Sequence, residues 1–93
     1  METPEHVRDL TIVNRRGLHA RASAKLVKLV EQFDARVEVS RDGQTVGGNS
    51  IMGLMMLAAS TGSSIHVETA GRESAEAMAA IVDLVEQGFG EAD

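Results

Sequence analysis

The run Gly17-Leu18-His19-Ala20-Arg21 stands directly before an amphipathic helical pattern, so it places an imidazole where a helix presents its unpaired backbone N–H groups. Such a position suits a phosphate. Glycine permits a tight turn into the helix, the first amides point outward unsatisfied, and the aligned peptide dipoles put about half a positive charge at that end. Arg21 adds a full charge. Histidine side chains are largely neutral near pH 7, so one placed here serves as a nucleophile toward phosphorus and then as the anchor of the phosphoryl group it has accepted. The backbone amides of Ala20, Arg21 and Ala22 are the expected phosphate donors. On spacing alone the competing assignment, His19 as a polar helix cap, is the commoner case.

The elements that must position these groups follow from hydrophobic periodicity. Residues 7–13 read as a strand, with Leu10 and Ile12 on one face and Thr11 and Val13 on the other. A loop over 14–18 leads into a helix over 20–33, in which Ala22, Leu26, Leu29, Val30 and Phe33 follow the 3.6-residue period and Arg21, Lys25, Lys28 and Gln32 take the other face. Val37 and Val39 alternate with polar residues over 36–41, Asp42-Gly43 signals a type I′ turn, and 44–47 returns as a short strand. After Gly47-Gly48-Asn49, Ser50 stands as the N-cap of a short helix through about Ala58. The apolar residues of that helix, Ile51, Met52, Leu54, Met55, Met56 and Leu57, go all the way round, so some must remain exposed as a patch near the basic end. A last strand over 63–69 turns His66 away from the core, and a helix over 74–87 carries Met78, Ile81, Val82 and Val85 before Gly88 ends it.

This order, βαββαβα, predicts an α+β open-faced sandwich with helices packed on one face of an antiparallel sheet. The 93 residues make a single domain, 1–93, with an ordered core over about 7–88 and frayed ends at 1–6 and 89–93. A monomer with one functional surface is expected.

Composition narrows the function further. The net charge is −5, yet five of the nine basic residues, Arg15, Arg16, Arg21, Lys25 and Lys28, lie within 10–30, where there is no acid. From Asp42 onward there are eight acids and one base, Arg72. Such a chain repels a nucleic-acid backbone while one end attracts anions, and with two Phe and no Trp or Tyr it has little for bases to stack on. The absence of cysteine removes thiolate and disulfide chemistry, and His6, His19 and His66 are scattered over different elements, so no metal site is expected. With no apolar run near the ~18 residues of a membrane span and no signal-like start, a cytoplasmic protein without membrane insertion is expected.

The stretches GLHARASAKLVKL and NSIMGLMML, in that order, resemble the two signature segments of the HPr family, the histidine-containing phosphocarriers of the bacterial phosphotransferase system. The likeness runs from about Val7 to about Gln87. It implies a four-stranded antiparallel sheet with three helices on one side, His19 as the phosphoryl acceptor, Arg21 as its phosphate-stabilising partner and Ser50 as a regulatory serine. It also implies enzyme I as donor, a histidine of an enzyme II A component as acceptor, no cofactor, and a carrier rather than an enzyme. An HPr kinase/phosphorylase acting on Ser50 is the further partner suggested by NSIMGLM, against the plain N-cap reading of that serine. Arg16, Lys25, Lys28, Ile51, Met52, Leu54 and Met55 are the candidate partner-binding residues. The family's usual proline after the active-site arginine is Ala22 here, which adds a backbone donor to the first turn. Two other functions were weighed. One is a regulatory binding module that acts through Ser50 and the Met-rich helix without phosphoryl transfer. The other, a hydrolase pairing Ser23 with His19, lacks a nucleophile elbow and a third group.

Overall fold

A computed structural model describes residues 3–91 of the chain. Four strands, β1 (His6–Thr11), β2 (Arg36–Arg41), β3 (Gln44–Gly47) and β4 (Ser64–Ala70), form one sheet in the order β1-β4-β2-β3 with every pair antiparallel. The helices are α1 (Ala20–Val30), α2 (Ile51–Met56) and α3 (Ser74–Glu86), and a 3₁₀ turn at Gly88–Gly90 follows. This is the expected βαββαβα open-faced sandwich.

Strand alternation explains why only one face is covered. Leu10, Ile65, Val67, Val37 and Val39 point into the core, where they meet Leu26, Val30, Met78, Ile81 and Val85 of α1 and α3. The other face carries Asp9, His66, Glu68, Glu38 and Ser40 toward solvent. His66 is held there by Asp9 through Nδ1 and by Glu68 through Nε2, each at 2.8 Å. Those two carboxylates, Asp9 first, hold its pKa above the ordinary histidine value. The β2–β3 hairpin turns on Asp42 and Gly43, at φ 51° and 81°, as a type I′ turn requires.

Three expectations need correction. Helix α1 ends at Val30 rather than Phe33, because Gln32 and Phe33 donate to carbonyls three residues back, Leu29 and Val30, and tighten the last turn. Its buried stripe is also wider than the periodicity indicated: Ser23 and Val27 are inside, while Leu29 and Phe33 are only half-buried, since α1 packs against both α2 and α3. Most consequential, the packed region runs past 7–88 at both ends. The Glu5 N–H donates to Thr69 C=O at 2.8 Å, and its carboxylate accepts from Gly71 N–H and from Ser74 Oγ. Beyond Gly88, Phe89 is fully buried. The remainder of the segments expected to fray, residues 1–2 and 92–93, lies outside the described residues.

Candidate functional site

The loop before α1 is fixed by its backbone. Gly17 has φ +65°, and a Cβ built there would lie 2.3 Å from Ala59 O, so both conformation and space demand glycine. Leu18 N–H donates to that same Ala59 carbonyl at 2.9 Å, which ties the loop to the chain leaving α2. His19 then occupies the N-cap of α1 with extended backbone, φ −73° and ψ −179°. The first intrahelical bond is Ser23 N–H to His19 C=O at 2.9 Å, so the N–H groups of Ala20, Arg21 and Ala22 lie at the open end of the helix. Ala22, where the family has proline, therefore adds one donor to that set.

The His19 side chain makes no cap hydrogen bond. Its Nε2 is instead in short contact with the Glu91 carboxylate, leaving Nδ1 without a hydrogen-bond partner among the described residues. The other Glu91 oxygen accepts from Asn14 Nδ2 at 3.0 Å, and the same Nδ2 donates to Gly17 C=O at 2.8 Å. Asn14 is 3% exposed, and its Oδ1 has no partner among the described residues. Its amide orientation is nonetheless settled, because a flipped amide would set its oxygen against two other acceptors. The Asn14 bond, then the His19 bond, hold the Glu91 carboxyl below the usual carboxylate range. Glu91 thus brings an anion to the start of α1, beside the acid-free 10–30 window, from a segment expected to be frayed.

The other candidate residues divide clearly. Arg21 is exposed in the first turn, two residues after His19, and forms no ion pair among the described residues. Arg16 is exposed in the loop. Lys25 is exposed but engaged: its Nζ donates to Phe89 C=O at 2.6 Å. Lys28 sits in the last turn of α1, about 12 Å along the axis from the helix start, where it complements the C-terminal dipole rather than the phosphate end. Ser50 is the N-cap of α2, its Oγ accepting from Gly53 N–H at 3.0 Å. Ser23 is wholly buried and donates to Leu18 C=O at 3.2 Å, which removes it as a nucleophile.

On α2 the structure separates what the composition could not. Ile51, Met52 and Met55 are exposed as expected, and so is Met56, which was missing from the candidate partner-binding residues. Leu54, which was among them, is 0% exposed, because it lies on the side of α2 that turns toward α1 and the core. The two kinds of position give opposite expected outcomes. Met52→Asp, at a side chain that is 74% exposed, should leave the melting temperature near native and weaken any partner docked on α2. Leu54→Asp should unfold the domain, since an unpaired buried charge costs on the order of 4 kcal/mol or more. Thermal melts beside affinity measurements check both.

Comparison with known proteins bears on this arrangement. A family model, PTS HPr component phosphorylation site, matches residues 7–87. The phosphocarrier protein HPr of Cupriavidus necator is 51% identical over 86 residues, covering 92% of this chain and 97% of its own. The HPr of Neisseria meningitidis serogroup A is 49% identical over 84 residues, covering 90% and 94%. Among solved structures, HPr-C-His from Thermoanaerobacter tengcongensis superposes with a TM-score of 0.90 at 36% identity, over 95% of this chain and 99% of that one.

Proposed function

Because the chain belongs to the HPr family of phosphotransferase-system phosphocarriers, we propose that His19 is its phosphoryl acceptor, charged by phosphorylated enzyme I and discharged onto a histidine of an enzyme II A component. The observation that carries this reading is the environment of one side chain. His19 stands at a helix start with three outward N–H groups, its Nδ1 is open, and its Nε2 is occupied by Glu91. Nδ1 is thus the nucleophilic nitrogen. A phosphoryl group formed there takes hydrogen bonds from Ala20, Arg21 and Ala22 N–H and charge from the Arg21 guanidinium. That grip is moderate, and a carrier needs moderation: a group held too tightly would not pass on. Arg16, Lys25, Ile51, Met52, Met55 and Met56 form the docking rim, and Lys28 adds steering charge at longer range. No described helix is long and apolar enough to cross a membrane, in keeping with a cytoplasmic role.

The test is direct. Incubation with phosphoenolpyruvate and enzyme I should add one phosphate that is labile in acid and stable in base, read by intact mass. No such adduct would overturn the reading and favour the alternative, a binding module acting through Ser50 and the exposed residues of α2.

Ser50 belongs to the same proposal as a regulatory phosphorylation site for an HPr kinase/phosphorylase. A phosphate there adds roughly −1.5 to −2 charges at pH 7, placed at a helix start and so harmless to the fold. It also lies beside Ile51 and the exposed methionines, where a desolvated anion is costly to any docked partner. Ser50→Asp should therefore keep a near-native melting temperature while slowing transfer from enzyme I severalfold. An unchanged transfer rate, in the mimic and in the phosphoserine form, would leave Ser50 a helix cap only.

A further inference from the structure

The tail after α3 is built to bring one carboxylate to one imidazole. Gly88, Phe89 and Gly90 all adopt positive φ, at 64°, 57° and 71°. Two glycines tolerate this, but a phenylalanine in the left-handed region is strained, and such strain persists only where its surroundings impose it. Here they do. The Phe89 ring is wholly buried, and Lys25 Nζ holds the Phe89 carbonyl at 2.6 Å. This reversal turns Glu91 back over the start of α1, where Asn14 holds one carboxylate oxygen and His19 Nε2 meets the other. In that orientation Asn14 leaves its own buried Oδ1 unmatched, while its Nδ2 serves both Glu91 and the Gly17 carbonyl of the loop before α1.

We infer that Glu91 is a positioning residue for the phosphoryl acceptor: by accepting the Nε2 proton of His19 it fixes the tautomer that presents the Nδ1 lone pair, and it neutralises the charge the ring gains on phosphorylation. This rests on the phosphocarrier reading and extends it. The step balances without a proton leaving the ring. The Nδ1 lone pair forms the N–P bond as the donor's own bond to phosphorus breaks, its electron pair returning to the donor. The ring becomes an N-phosphoimidazolium, still protonated at Nε2, with its positive charge against the Glu91 carboxylate. On discharge the acceptor attacks phosphorus, the N–P pair returns to Nδ1, and the Nε2 proton has stayed in place. Asn14 and His19 both favour the ionised form of Glu91, so the compensating charge is present at neutral pH. Asn14 orients Glu91 as Glu91 orients His19, and Lys25 and Phe89 pin the tail.

The experiment combines two readouts on the full chain and on Glu91→Ala and Glu91→Gln. Nitrogen-15 spectra of the neutral imidazole in the unphosphorylated protein report the His19 tautomer and need no partner. The wild type should be predominantly Nε2–H, Glu91→Ala should relax to a mixture, and Glu91→Gln, whose amide oxygen still accepts, should keep the wild-type tautomer. Uptake from enzyme I and discharge to an enzyme II A component should both slow on the order of tenfold in Glu91→Ala, the size expected for losing a hydrogen bond to a charged group. Glu91→Gln should be slowed as well, because orientation survives and the charge does not. Unaltered tautomer in Glu91→Ala, or wild-type rates in both variants, would overturn the role of Glu91. If the wild type itself accepted no phosphoryl group, the phosphocarrier reading would fail instead, whatever the tautomer.

Discussion

His19→Ala should abolish uptake of acid-labile phosphate from phosphoenolpyruvate and enzyme I, while the folded domain should survive with a melting temperature within a few degrees of the wild type. The loss should be complete because no other imidazole can substitute. His6 opens the edge strand β1 beside Glu5, whose carboxylate already occupies the start of α3 through Gly71 N–H and Ser74 Oγ, and both ring nitrogens of His66 are engaged by carboxylates on the open face of the sheet. The fold should tolerate the change because the His19 side chain is not what caps α1. The N-cap backbone already supplies the acceptor for Ser23 N–H, and alanine retains it. What disappears is the partly buried contact with Glu91, whose carboxylate keeps its hydrogen bond from Asn14 Nδ2. A normal yield of acid-labile phosphate in this variant would refute the assignment of the acceptor.

The second large effect is expected at Phe89. Phe89→Ala removes a fully buried aromatic side chain and should cost about 3–5 kcal/mol. In a domain of this size that lowers the melting temperature by more than ~10 °C. Alanine keeps the Cβ that makes the left-handed backbone costly, so the substitution itself returns none of the strain. The variant should do more than lose stability: below its own melting temperature, with the tail released, it should share the tautomer mixing and slowed transfer of Glu91→Ala. Val67→Ala, in the centre of the sheet and away from the tail, is the control and should lose stability with transfer rates unchanged. Thermal denaturation and single-turnover transfer, measured on both variants, separate the two effects. A Phe89→Ala protein that is destabilised but transfers like the wild type would show that the tail only packs.

The residues with a strong local signal were read correctly from the chain. Asp42-Gly43 specified its turn because only a type I′ geometry matches the twist of the strands on either side. Val37 and Val39, and Ile65 and Val67, declared their buried face through alternation, and Ser50 was recognisable as a cap before any coordinate. The places of His19 and Arg21 at the start of α1 were legible for the same reason, since that start lies within a few residues of them in sequence.

The remainder depended on contacts between distant segments, which periodicity does not encode. Leu54 and Met55 are neighbouring apolar residues on a six-residue helix, and only the direction from which α1 approaches decides that Leu54 is wholly buried and Met55 43% exposed. Lys25 read as a solvated cation until the Phe89 carbonyl, 64 residues later, proved to be its partner. Glu91 is the sharpest case. It lies 72 residues from His19, behind two glycines that read as a fraying end, and nothing local connects an acid there to an imidazole at the start of α1. The order of elements that builds the sheet, and the helix start with His19 at its N-cap, were readable in the chain because each is a property of short segments. That His19 Nε2 faces a carboxylate was settled only in three dimensions, because burying Phe89 is what turns the chain back over the start of α1.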